Sequence, residues 1–176
     1  MEHFRPDVLI SEEDINLRID DLARAINTEF AGEEIVVICI LKGAFMFCSD
    51  LIKKLELPVR LDFMQVSSYG EGTVSSGNVK LEMDVSENLK DQNILIVEDI
   101  VDTGLTINTL VEMLKVRNPK KIKLASLLFK PSRNKFPVNI DYLGFEIEDK
   151  FVIGYGLDYA GRYRELPYIG VLNAGN

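Results

Sequence analysis

The segment Asn93–Leu110, NILIVEDIVDTGLTINTL, sets an apolar run against a group of acids and then a small polar turn. Ile94–Val97 has the uninterrupted apolar character of a short strand buried on both faces. Glu98, Asp99 and Asp102 follow, then Thr103-Gly104-Leu105-Thr106, then Ile107, Leu110, Val111 and Leu114 at helical spacing. The order predicts a central strand, a loop and a helix over Thr106–Val116. A single acid suffices to end a strand in water, whereas this turn carries three acids. Hydroxyls, a glycine and unpaired N–H groups at a helix N-terminus suit a phosphate monoester. Glu98 and Asp99 would repel that phosphate, so they suit sugar hydroxyls or the water shell of a hard cation such as Mg2+. The plainer reading is a strand leaving the core, with Asp102 or Thr103 capping the next helix.

The flanking sequence gives the segment its setting. Ser11 before Glu12, Glu13 and Asp14 predicts a capped helix. Ile15, Ile19, Leu22, Ile26 and Phe30 line one face of it, and Gly32 ends the pattern. Ile35–Leu41, IVVICIL, predicts a second buried strand, broken by Lys42-Gly43, with a helix over Ala44–Leu55. Val59–Val66 and Val79–Met83 read as strands on either side of SSYGEGTVSSG, Ser67–Gly77. Ile122–Phe129 reads as another buried strand, and Tyr142–Ile147, Phe151–Leu157 and Tyr168–Leu172 as shorter ones. Strand and helix in alternation predict an α/β fold with a mainly parallel twisted sheet flanked by helices. In such sheets ligands gather outside the carboxyl ends of strands, where the acid-bearing turn falls.

The chain of 176 residues suits a single domain, 1–176, with a sizeable core. A net charge of −8 disfavours non-specific binding to nucleic acid. Apolar runs are strand-length, so no membrane span is expected. The N-terminal MEHFRPDVLI is too polar for a secretory signal, which favours a cytoplasmic setting. His3 is the only histidine, leaving almost no material for Ser-His or Cys-His catalysis or zinc hydrolysis. Cys39 and Cys48 lack metal-ligand spacing and read as reduced core thiols.

VEDIVDTGLT, Val97–Thr106, resembles the 5-phosphoribosyl-1-pyrophosphate motif of the type I phosphoribosyltransferases, in the form carried by the hypoxanthine-guanine branch. LKGAF, Leu41–Phe45, is similar to the family's pyrophosphate loop, and Ser67–Gly77 to its mobile lid. ASLLFKPSR, Ala125–Arg133, resembles the lysine region that recognises purines. Phe151–Leu172 resembles a small hood over the base pocket. Together these segments run from about residue 41 to the C-terminus.

The resemblance implies transfer of a phosphoribosyl group from 5-phosphoribosyl-1-pyrophosphate to N9 of hypoxanthine or guanine, with Mg2+. It implies Asp102 as general acid/base near N7, and Thr103, Gly104, Leu105 and Thr106 around the 5-phosphate. Glu98 and Asp99 fall to ribose and Mg2+. Lys42, Gly43 and Arg164 fall to pyrophosphate, with a cis peptide bond at Leu41–Lys42. Ser68 and Tyr69 belong to the lid. Lys130 faces the purine O6 and disfavours adenine, whose 6-amino group is a donor. Phe151 stacks on the base, the backbone of Val152 reads its edge, and Asp158 holds a second Mg2+. On residue type alone Lys42 is also an ordinary strand exit and Phe151 ordinary core. Arg133 stays open between a solvated and a subunit-interface role. A homodimer or homotetramer is the family's habit. Ala160-Gly161 departs from bulkier polar residues, leaving the choice among hypoxanthine, guanine and xanthine open. An RNA-binding regulator on the same fold is the rival reading, disfavoured by an estimated pI of 4.8 and by Asp102. A domain that has lost activity is disfavoured by the intact set Glu98, Asp99, Asp102, Lys130 and Asp158.

Overall fold

The computed structural model describes residues 6–68 and 79–172. Its main sheet has six strands. In chain order these are β2 (Ile35–Leu41), β3 (Val59–Ser68), β4 (Val79–Met83), β5 (Asn93–Val101), β6 (Lys121–Phe129) and β7 (Tyr142–Glu146). Their order across the sheet is β4-β3-β2-β5-β6-β7, all parallel except β4 at one edge. Three helices, α1 (Glu12–Glu29), α2 (Phe45–Ile52) and α3 (Leu105–Lys115), complete the layers. From β2 the chain crosses through α2 to β3, and later returns to β5 on the other side of β2. The carboxyl ends of β2 and β5 therefore splay around a topological switch point, the usual crevice for ligands in open parallel sheets.

Burial explains why β2, and β5 from Ile94 to Val97, are apolar at every position. Ile35, Val37 and Cys39 of β2, with Leu95 and Val97 of β5, pack beneath α1 and α2. Val36, Ile38, Ile40, Ile94 and Ile96 face the other way and meet Ile107, Leu110 and Leu114 of α3. Alternate side chains on a strand point to opposite faces, and here each face has a helical cover. Helix α1 begins where its cap predicts, with Ser11 Oγ accepting the Asp14 amide at 3.1 Å. Ile15, Ile19, Leu22, Ala23 and Ile26 form its buried stripe. Arg18 fastens α1 to edge strand β7, donating to the Gly144 carbonyl at 2.9 Å and the Leu143 carbonyl at 2.6 Å. Cys39 and Cys48 are both buried and free, and their mutual contact, followed by burial, pushes the Cys39 thiol up. On the far edge, Asp62 of β3 gathers the loop after β4, accepting from the Ser86 and Glu87 amides at 2.7 and 2.9 Å.

Several boundaries differ from the sequence reading. Strand β5 continues through Glu98 and Asp99 to Val101, because pairing with β6 persists from Asn93–Lys121 to Val101–Phe129. The two acids thus lie inside the strand rather than beyond it. Strand β3 likewise runs on to Ser68 by pairing with β4, and α2 is shorter than Ala44–Leu55. Phe151–Leu157 holds only the two-residue strand β8 (Val152–Ile153), since Gly154 and Gly156 take positive φ and turn the chain. Strand β1 (Asp7–Ile10) was not anticipated: only Ile10 is buried, so it carries no alternating pattern. Pairing makes it a strand, Asp7 with Val171 and Val8 with Gly170 of β9 (Ile169–Val171). β1, β9 and β8 form a small antiparallel sheet, which matches the expected hood. His3 and Tyr69, with most of the expected lid, lie outside the described residues.

Candidate active site

Two cavities adjoin the carboxyl end of β5. The smaller, about 80 Å3, is lined by Glu98, Val101, Asp102, Thr103, Gly104 and Thr106 among others. The larger, about 540 Å3, is walled by Asp99, Asp102, Lys130, Arg133, Asp149, Phe151, Val152, Leu157, Asp158 and Arg164. Residues from four separate stretches of chain therefore meet around Asp102.

Gly104 decides the shape of the smaller cavity. It is the N-cap of α3 at φ 88°, where no side chain caps the helix. A Cβ there would lie 2.1 Å from the Phe136 carbonyl oxygen, so only glycine fits. Thr103 Oγ1 reaches the Leu105 amide only at 3.4 Å, while the Thr103 carbonyl accepts from the Lys135 and Phe136 amides. The capping role considered for Asp102 or Thr103 is therefore filled only weakly, by Thr103. An anion in the cavity would be stabilised by the first turn of α3 and by the helix dipole.

Glu98 and Asp99 sit side by side, with the Asp99 amide donating to Glu98 Oε1 at 3.0 Å. Glu98 is 6% exposed and lines the smaller cavity. Burial, and next the neighbouring Asp99 charge, push its carboxyl well above the usual carboxylate range. Asp99 presses on Gly43, where a Cβ would fall 1.6 Å from Asp99 Oδ2. Gly43 also has Gly156 against its carbonyl, so the Lys42-Gly43 turn is clasped between β5 and the hood. The Leu41–Lys42 peptide bond is cis, as expected, and Lys42 is exposed. The ion pairs around the larger cavity engage Asp102, Asp149 and Asp158 and leave Glu98 and Asp99 without a basic partner among the described residues.

The opposite wall comes from β6, the turn after it and the hood. Lys130 is 8% exposed, its amide bonded to the Val101 carbonyl at 3.1 Å and its Nζ 3.6 Å from Asp149. Phe151 is 53% exposed and meets Tyr159 edge to face at 5.7 Å. It lines the cavity with an uncovered ring, which overturns the reading as core. Val152 is buried beside it. Arg164 donates to the Gly156 carbonyl at 2.6 Å and pairs with Asp158 Oδ1 at 2.7 Å. The other Asp158 oxygen accepts the Gly161 amide at 2.8 Å. Arg133 donates Nε–H to Asp102 at 2.7 Å. Asp149 was missed in the sequence, where it stands in an unremarkable acidic stretch, EIEDK. So was Asn134, whose enclosed Nδ2 has no hydrogen-bond partner and would lie 2.8 Å from a Cβ on Gly104. Ser68 ends β3, and its lid neighbour Tyr69 lies outside the described residues.

The arrangement offers an anion site at a helix N-terminus, a pair of uncompensated carboxylates beside it, and an aromatic face opposed by a buried lysine and a carboxylate. Residues 11–160 match the model of the phosphoribosyl transferase domain. The chain is 49% identical over 172 residues to the hypoxanthine-guanine phosphoribosyltransferase of Bacillus subtilis strain 168, covering 98% of this chain and 96% of that one. It is 47% identical over 165 residues to the bifunctional protein TilS/HprT of Listeria monocytogenes serotype 4b, where the match takes 94% of this chain but spans only 26% of that longer protein. A crystal structure of a hypoxanthine-guanine phosphoribosyltransferase from Bacillus anthracis superposes with a TM-score of 0.91 at 44% identity, over 95% of this chain and 98% of that one. This chain belongs to the phosphoribosyltransferase family.

Proposed function

We propose that this chain transfers the 5-phosphoribosyl group of 5-phosphoribosyl-1-pyrophosphate to N9 of hypoxanthine, and also of guanine, forming IMP or GMP and releasing pyrophosphate in purine salvage. The observation that carries this reading is the convergence on one cavity of buried Lys130, the open Phe151 ring and Asp102. A purine stacked on Phe151 would present its 6-oxo group to the Lys130 ammonium and N7 to Asp102. An adenine would offer Lys130 a donor instead, so no hydrogen bond could form between them.

The reaction breaks the bond from ribose C1 to pyrophosphate and forms one from C1 to N9. Asp102 takes the proton that N7 gives up as N9 bonds to carbon. The amides and hydroxyls of Thr103–Thr106 hold the 5-phosphate, and Lys42, Gly43 and Arg164 meet the departing pyrophosphate. Ser68 and Tyr69 belong to the lid that keeps water from the cationic sugar.

Magnesium fits the donor set. Mg2+ takes one or two carboxylates, keeps several waters and completes its shell with substrate phosphates. No group of three or more ligating side chains occurs among the described residues, and the adjacent carboxylates of Glu98 and Asp99 lack a basic partner. When bound, the ion would neutralise charge on the phosphates. Glu98 and Asp99 would hold it and the ribose hydroxyls, and Asp158 would serve a second ion while Arg164 turns to pyrophosphate.

Two apolar clusters across one sheet support reading 1–176 as a single domain. Exposed Phe45, and Leu61, Phe63 and Met83 on one side of the sheet edge, support assembly as a homodimer or homotetramer. No described helix is long and apolar enough to cross a membrane. The two free thiols suit our assignment to the cytoplasm.

The test is nucleotide formation from the ribosyl donor and Mg2+ with hypoxanthine, guanine, xanthine and adenine in turn. Turnover is expected with the first two. Failure with both would sink the proposal.

A further inference from the structure

The base-facing wall of the large cavity carries charges of alternating sign: Asp102, Arg133, Asp149 and Lys130. Arg133 Nε–H meets Asp102 Oδ1 at 2.7 Å. Arg133 Nη1 lies 3.5 Å from Asp149 Oδ2, and the other oxygen of Asp149 lies 3.6 Å from Lys130 Nζ. Asp149 is thus shared at long range between two cations, each of which it could hold more closely alone. The two cations of the chain of charges are held by their backbones. The Lys130 amide bonds the Val101 carbonyl, next to Asp102, and the Arg133 amide bonds the Lys130 carbonyl at 3.1 Å through the turn Pro131–Arg133. A planar guanidinium can fix a carboxylate's orientation as a point-like ammonium cannot.

We propose that Arg133 is a positioning residue for Asp102, and that Asp149 couples it to Lys130. When a 6-oxo group takes over the Lys130 ammonium, Asp149 closes onto Arg133, which steadies the Asp102 carboxylate for proton transfer. Occupancy of the base site and readiness of the proton acceptor are then linked through one carboxylate. The inference rests on the roles given to Lys130 and Asp102 above.

The test is steady-state transfer to hypoxanthine by the wild type and by Arg133→Ala, Arg133→Lys and Asp149→Asn, each with a melting curve. Arg133→Ala is expected to lower kcat about 10- to 100-fold, the scale of a misplaced reacting group. Its KM for the ribosyl donor should stay within about twofold, because no ground-state contact to the donor is lost. Added guanidinium at millimolar concentration should restore much of kcat, and lysine should restore less than guanidinium. Asp149→Asn should lower kcat several-fold and change KM for hypoxanthine but not for the donor. Wild-type kcat in Arg133→Ala, or a loss that guanidinium leaves untouched in a variant melting normally, overturns the inference. If Arg133→Ala does not fold, the Arg133→Lys and Asp149→Asn pair decides, and wild-type kcat in both overturns it. A wild type inactive on every 6-oxopurine overturns the function itself, and the inference with it.

Discussion

Replacing Gly104 by alanine perturbs the turn before α3 through its backbone alone. The residue sits at φ 88°, in the left-handed region. Holding an L-residue with a Cβ there costs about 1–2 kcal/mol. The added carbon would also lie 2.1 Å from the Phe136 carbonyl oxygen and 2.8 Å from both Asn134 Nδ2 and Val138 Cγ2. Asn134 and Val138 can turn aside, but the carbonyl belongs to backbone pinned by the Phe136 amide on the Thr103 carbonyl at 3.0 Å. Moving it adds about 1–2 kcal/mol, in the range of overpacking a tight contact. The sum, about 2–4 kcal/mol, corresponds to a fall in melting temperature of about 4–16 °C for a chain of this size. The same displacement shifts the first amides of α3, so KM for the ribosyl donor should rise at least about tenfold, or 1.4 kcal/mol. KM for hypoxanthine, measured at saturating donor, should change much less. Thermal melts and steady-state kinetics read both effects. A Gly104→Ala protein with the wild-type melting temperature and donor KM would refute the claim that this turn is shaped around an anion.

Three further outcomes follow from the geometry. Asp102→Asn keeps the shape but not the basicity, so kcat should fall about 10²- to 10⁴-fold, with donor KM little changed; a comparable loss in donor KM would undo the acid/base assignment. Phe151→Ala should raise KM for the base about 5- to 150-fold, the equivalent of one lost stacking contact of about 1–3 kcal/mol, while the melting temperature barely moves because the ring is exposed; a large thermal loss with unchanged KM would return Phe151 to the core. Asp62→Ala should cost about 1–3 kcal/mol near neutral pH. Burial raises the Asp62 carboxyl, but the Glu87, Phe63 and Ser86 amides and the Ser86 hydroxyl together outweigh it, leaving the pKa below its ordinary 3.8. The contribution is present above pH 3.8 and is lost as pH falls through the lowered value, so the gap between Asp62→Ala and wild type in denaturant melts should narrow in acid; a gap that widened would contradict the sign.

Much of the site could be read locally. The turn Asp102–Thr106 declares itself because acids, hydroxyls and a glycine follow an apolar strand, although the contacts that require Gly104 come from Phe136. Phe151 could not be read in that way. A phenylalanine in an apolar stretch is usually core, and only its place in the folded chain leaves this ring open to the cavity. Strand β1 has one buried residue and no periodicity, so nothing local marks it as part of the hood. Arg133 was undecided for the same reason: its partner Asp102 lies 31 positions away.

The sequence by itself determined the α/β layering and the helical cap at Ser11, since periodicity and capping are short-range properties of the chain. Tertiary structure decided how far β5 runs, because pairing with β6 carries Glu98 and Asp99 inside the sheet edge. It also decided that Asp99 should press on Gly43, that Lys130 should be buried opposite Phe151, and that Asp102 should be held by Arg133. These are meetings of residues from different strands and loops, and they exist only once the strands splay at the switch point and the hood closes over their ends.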